Sequence, residues 1–246
     1  MTAMLGMYDV PQLAAANDRF WAAIRTELGD GPETLDRSRD FWEIWRDPDM
    51  VFSQTCGMPF RTALHGLVRL VGTPDYGLPG CAPGYYNSVI ITRADAPGDR
   101  LSDFSGQRFG YNDSVSQSGW AAPMTHALQQ DAHFDQLVQT GGHLASAKAV
   151  AEGAADIAGI DALTWSLIKQ YQPLAQHLRE IERTEPTPGL PYITAWRRDP
   201  APIRDAVRNA IGSLSAEDRG QLHLHGLVQI PESAYLAIPT PPGPAS

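Results

Sequence analysis

The chain has 246 residues, 43% hydrophobic and 19% charged, so it can bury a core and is not a disordered polymer. Twenty-eight acidic against 19 basic residues leave a net charge of −9, which argues against a nucleic-acid groove or an anionic membrane surface as partner. Twenty-two glycines and 20 prolines are many for an all-helical bundle and suit a fold with many strand-to-helix turns.

Leu13, Phe20, Trp21, Ile24 and Leu28 recur at helical spacing and predict an amphipathic helix over 11–28. Asp9 with Gln12 has the form of a capping box, and Pro11 is tolerated in a first turn. Gly29-Asp30-Gly31-Pro32 stops the helix. A short helix is expected over 39–46. Strands follow at 50–55, 67–73 and 85–93, the last carrying the β-branched run Val89-Ile90-Ile91-Thr92.

The middle of the chain alternates. Strands are predicted at 107–111, within 134–140 and at 155–160, with helices at 119–130, 143–152 and 162–171. That order implies βαβ units and a parallel sheet. A segment at 178–183, a Pro-rich crossing at 184–191, a strand at 192–196 and a helix at 202–211 come next. The tail, 238–246, holds four prolines and reads as a frayed end or a surface strap.

Strands lie on both sides of the middle block, and the Pro-rich crossing reads as a hinge. Two α/β lobes are inferred, with the chain leaving the first near 85–90 and returning near 186–191. Lobe 1 is then 1–87 with 189–246, and lobe 2 is 88–188. No apolar run is long enough to span a membrane, so no membrane insertion is expected. Residues 1–10 show no basic stretch followed by an apolar one, so no signal peptide is visible.

The most informative stretch is Tyr111-Asn-Asp-Ser-Val-Ser-Gln-Ser-Gly-Trp120, between a predicted strand and a predicted helix. Ser114, Ser116 and Ser118 supply hydroxyls, and Gly119 permits close backbone approach. Pro123 lacks an N–H and belongs in the first helical turn, which puts the helix start near Ser118–Trp120. Unpaired N–H groups then cluster beside hydroxyls at the positive end of the helix dipole. Such a turn holds phosphate, sulfate or carboxylate without Lys or Arg. An ordinary Ser N-cap is the alternative, but a cap needs one hydroxyl and three alternate here.

A second stretch is Thr140-Gly-Gly-His-Leu-Ala-Ser146. Gly141 and Gly142 let a strand turn into a helix starting near His143. A protonated His is disfavoured there, so a neutral hydrogen-bonding ring is expected. Asp161 ends a strand, where α/β proteins place ligand contacts. Ser116 or Ser118, His143 and Asp161 also occur in the order of a hydrolase set, although no Gly-x-Ser-x-Gly elbow is present. Cys56 and Cys81 fit no four-ligand zinc pattern and leave a disulfide or two separate thiols open. His223-Leu-His225 reads as an edge strand rather than a metal site. Trp42 with Trp45 reads as core, and Tyr85 with Tyr86 as core or cleft wall. No Walker loop and no dinucleotide fingerprint is found.

The order Ser-x-Ser-Gly, Gly-Gly-His-x-x-Ser and Val-Ala-Glu-Gly-Ala-Ala-Asp-Ile-Ala resembles the phosphate/phosphonate solute-binding family of ABC transporters, most strongly over 105–165. The segments Gln54-Thr-Cys-Gly57, Gly72-Thr-Pro-Asp-Tyr76 and Thr187-Pro-Gly-Leu-Pro191 resemble a compact subgroup. The resemblance implies an α/β, two-lobed type II periplasmic-binding-protein fold: two mixed sheets flanked by helices, with a double crossover hinge. It implies a non-catalytic binding protein for a small oxyanion, with no cofactor, no catalytic residue and no metal. The ligand residues it implies are Ser116, Ser118, Gly119 and His143, with Tyr86 near the crossover, Tyr8 from the other lobe, and Asp161. An ABC permease is the implied partner and the periplasm the implied location, with an intracellular sensing module as the alternative. The family acid that holds a phosphonate amine aligns near Leu190, where this chain has no acid.

Overall fold

A computed structural model describes residues 1–244. In chain order its strands are β1 (Thr2–Ala3), β2 (Met50–Gln54), β3 (Val68–Asp75), β4 (Tyr85–Tyr86), β5 (Ser88–Arg93), β6 (Arg108–Tyr111), β7 (Gln136–Gln139), β8 (Ile157–Asp161), β9 (Leu178–Arg183), β10 (Thr187–Pro188), β11 (Tyr192–Ala195) and β12 (Gly226–Val228). The predicted strand over 85–93 is interrupted at Asn87, and its two parts join different sheets. The chain divides into two compact units, Met1–Tyr85 with Pro188–Ala237, and Tyr86–Thr187 with the tail from Ile238 on.

The first unit is built on a five-stranded sheet in the order β1-β2-β11-β3-β12. β1 runs parallel to β2, whereas β11 is antiparallel to both β2 and β3, and β12 is antiparallel to β3. The first helix runs Ala14–Leu28 and buries Ala16, Phe20, Trp21 and Ile24, the 3–4 spacing of a one-faced helix. Gly29 closes it in the left-handed region (φ 67°), with its N–H donating to the Arg25 carbonyl, the usual glycine C-cap. The expected capping box is not formed. Leu13 precedes the helix without a side-chain cap, and Asp9 instead accepts from Asn17 Nδ2 at 2.9 Å and pairs with Arg37. The guanidinium outcompetes a helix N–H for that carboxylate.

Trp42 and Trp45 meet edge to face at 5.1 Å between ring centroids. Trp45 is buried in a core with Phe60, Ile193 and Tyr235, and Trp42 packs against that core. Cys56 and Cys81 are half-buried thiols without a disulfide. His225 donates its backbone N–H to the Asp75 carbonyl, 2.8 Å. Among the described residues, no three His, Cys, Asp or Glu side chains gather as a metal site, and no helix is long and apolar enough to cross a membrane.

The second unit has a sheet in the order β7-β6-β8-β5-β9. β6 is parallel to β7 and β8, and β5 is antiparallel to β8 and β9. The sheet is therefore mixed rather than wholly parallel, because β5 runs against the βαβ block while β9, antiparallel to β5, runs with it. Ile90, Phe109, Trp120, Phe134 and Ile157 form its core. The tail, grouped by sequence with lobe 1, packs with this unit instead: the Trp120 indole donates to the Pro242 carbonyl at 3.1 Å. Proline-rich backbone has carbonyls unspent on secondary structure, and the indole N–H needs an acceptor. Residues 245–246 of that tail lie outside the described residues.

Candidate functional site

The parallel strands β6 and β8 both end at one edge of the second unit, and two helix-opening turns follow from that edge and its neighbour β7. After Tyr111 the chain turns through Asn112–Val115 and enters a wide, π-type turn, Gln117–Ala121. That turn runs straight into the helix Ala122–Gln129. Ser116 is the cap, with extended backbone (φ −78°, ψ 130°) and its Oγ accepting the Gly119 N–H at 3.0 Å. The Ala121 N–H donates to the Ser116 carbonyl at 3.0 Å. The helix thus begins two residues before the predicted 119, and its first N–H groups precede the hydrogen-bonded ladder. Pro123 sits at the second position of the α-helical part, where it costs no hydrogen bond.

The second turn follows β7. The Thr140 and Gly141 N–H groups donate to the carbonyls of Tyr111 and Asn112, 2.9 and 3.0 Å. Gly141 takes φ +84°, a conformation that favours glycine, and the helix His143–Ala151 starts two residues later. Ser146, fully buried, pairs its Oγ with Thr140 Oγ1 at 2.6 Å. It locks the turn rather than facing it.

These two turns bring His143 onto the first one. Its Nε2 lies 2.9 Å from Ser118 Oγ. Burial is the main influence on the ring and outweighs the nearby Gly159 carbonyl, so the His143 pKa is pushed down to about 4 and the ring is neutral at pH 7. Its Nδ1 is buried and has no hydrogen-bond partner. A Cβ on Gly119 would run into the Asn112 side-chain amide and approach His143 Cε1 to 3.3 Å. Glycine is therefore required where the turn passes under Asn112 and His143. Asn112 Oδ1, packed there, is buried without a hydrogen-bond partner. Gly159 of β8 plays the matching part beneath the turn, since a Cβ there would collide with Pro123 and come within 3.1 Å of the Ser118 carbonyl.

Ser116, Ser118, Gly119 and His143 thus form one cluster within the second unit. No Lys or Arg is hydrogen-bonded to Ser116, Ser118 or His143 among the described residues, and the polar groups of the cluster are hydroxyls, an imidazole and the N–H groups of a helix start. Asp161 ends β8, but its Oδ1 caps the next helix by accepting the Thr164 N–H at 2.9 Å. Asp161 does not orient His143, whose Nδ1 is unpartnered, so the Ser-His-Asp arrangement of a hydrolase is not built. Tyr86 is buried at the start of the second unit. Tyr8 belongs to the first, where it meets Tyr76 edge to face at 5.3 Å, and Tyr76 accepts from Gln54 Nε2 at 3.0 Å. Sequence reasoning gave no role to Asn112, Gly159 or Ser88. The one available signal was a polar residue, Ser88, directly ahead of the apolar run Val89-Ile90-Ile91.

A family model for the periplasmic substrate-binding protein of phosphonate ABC transporters matches residues 49–232. No individual curated protein matches the chain significantly in sequence. Among solved structures, PhnD1 from Prochlorococcus marinus in complex with methylphosphonate superposes with a TM-score of 0.77 at 13% identity, over 96% of this chain and 94% of that one. A binding protein component of an ABC phosphonate transporter from Pseudomonas aeruginosa gives 0.70 at 17% identity, over 92% and 81%. A protein from Xanthomonas citri bound to chloride ion gives 0.66 at 15%, over 95% and 93%. At these identities the structures establish the fold, that of type II periplasmic binding proteins, and the matched family is one of substrate carriers rather than catalysts. The chain belongs to the periplasmic substrate-binding proteins of phosphonate ABC transporters.

Proposed function

We propose that the protein binds a small phosphorus oxyanion, a phosphonate or phosphate, at the Ser116–Gly119 turn and presents it to an ABC permease. The observation that carries this reading is the neutral His143 held on Ser118 beside a helix start whose first N–H groups precede its ladder. A neutral ring adds a hydrogen-bonding group without a counter-ion, and the turn supplies the positive potential. Ser116 Oγ, already an acceptor from Gly119, keeps its own O–H to donate. The anions named for the Prochlorococcus and Xanthomonas proteins, methylphosphonate and chloride, support the same charge class. The missing acid at Leu190 favours ligands without an amine.

Titration calorimetry with methylphosphonate, phosphate, phosphite, sulfate and taurine tests the reading. Heat is expected with the phosphorus oxyanions and little with taurine. Ser118→Ala is expected to weaken binding by about 1–3 kcal/mol. Uniformly absent heat would overturn the ligand class.

A further inference from the structure

Ser88 opens β5 and is 1% exposed. Its backbone is fully used: its N–H donates to Thr184 Oγ1 and its carbonyl accepts the Thr184 N–H, both at 3.0 Å. Its Oγ is buried and has no hydrogen-bond partner. A hydroxyl left in that state costs stability, and alanine would fill the same position without the cost.

The strand register shows which way Ser88 faces. Ser88 lies opposite Asp161 and Ile90 opposite Gly159 on β8. Directly opposed residues share a face of the sheet, and so do residues two apart on one strand. The face at Gly159 is the one covered by the Ser118 carbonyl and Pro123, and Ile90 packs there with Trp120. Ser88 therefore stands on the face that carries the Gln117–Ala121 turn. It lies one strand repeat beyond Gly159, at the edge where β6 and β8 end and the Ser116–Gly119 turn begins.

We propose that Ser88 Oγ is a further ligand-binding group of this site, donating its O–H to a second oxygen of the anion. The proposal rests on the oxyanion reading above and extends it to a residue on a different strand. A bound anion supplies the acceptor that the hydroxyl lacks, so Ser88 trades stability of the unliganded protein for affinity.

The test pairs calorimetry on the whole chain, with methylphosphonate and inorganic phosphate as probes, with thermal melts of exhaustively dialysed protein. Ser88→Ala is expected to weaken binding of the wild-type ligand by about 5- to 100-fold while leaving the unliganded melting temperature unchanged or higher. Ser88→Cys, close in size but a weak donor, is expected to lose affinity to a lesser extent. Wild-type binding with Ser88→Ala and Ser88→Cys both within twofold of it would overturn the role of Ser88 and leave the oxyanion reading standing. A lower unliganded melting temperature for Ser88→Ala with affinity kept would do the same. Binding of neither probe by the wild type would overturn the oxyanion reading and this extension together.

Discussion

The two units treat their buried polar groups differently. In the first, the Tyr235 hydroxyl meets Thr73 Oγ1 at 2.6 Å and donates to the Gly189 carbonyl at 3.0 Å. Gln54 Nε2 donates to the Leu190 carbonyl and to Tyr76, and the Trp45 indole donates to the Gln54 carbonyl. Among the described residues, six buried side-chain polar atoms lack a hydrogen-bond partner, and only Ser53 Oγ belongs to the first unit. The other five, including Ser88 Oγ, Asn112 Oδ1 and His143 Nδ1, are in the second. Buried polar atoms are normally paired because an unpaired one forfeits its hydration. A cluster of unspent groups at one strand edge marks a place where stability is given up, and binding is the use that recovers it.

Four measurements put that contrast to the test. The largest effect expected is on pH dependence. His143 has a folded pKa of about 4 against an ordinary 6.5, so between those values the unfolded chain binds the proton that the folded ring refuses. Its contribution is complete above pH 6.5 and is lost as pH falls toward 4, by about 3 kcal/mol. Denaturant melts across that range are expected to show this slope in the wild type and a reduced one in His143→Gln. A slope unchanged by the substitution would remove His143 from the set of buried groups.

Gly119→Ala comes next, at about 2–3 kcal/mol of stability, because the new methyl meets the Asn112 amide. Asn112→Ala in the same chain is expected to recover part of that loss, and strict additivity of the two changes would refute the contact. Tyr235→Phe in the first unit is expected to cost about 2 kcal/mol, since it strands both Thr73 and the Gly189 carbonyl. Its opposite is Ser88→Ala, which removes a hydroxyl that bonds to nothing. Equal losses of melting temperature from the two would abolish the distinction between the units. The smallest effect belongs to Ser215→Ala, which removes the cap accepting from the Asp218 N–H at 3.0 Å. It is expected to cost about 1 kcal/mol in chemical denaturation and to leave ligand binding unchanged.

Much of the fold was legible because its signals are local. The stripe from Leu13 to Leu28, the stop at Gly29 and the strand-helix alternation through the middle of the chain each depend on residues within a few positions of one another. So does the Ser-x-Ser-Gly turn, whose cap hydrogen bond from Gly119 to Ser116 spans three residues. The misreadings arose where a distant group competed. Arg37 took the carboxylate of Asp9 that the first helix was expected to use, and Trp120 drew the tail onto the second unit.

Most helices and strands, to within a few residues at their ends, and the hydroxyls at a helix start could be read from the residues alone. Periodicity and capping are short-range properties of the backbone. Only the packing of the chain brought His143 onto Ser118 across 25 residues and left that histidine's Nδ1 without Asp161, which serves as a local helix cap. It also decided that Ser88 lies opposite Asp161 with an unspent hydroxyl. A hydrogen bond depends on tenths of an ångström between atoms, and only the packing of strands and helices sets distances between residues far apart in the chain.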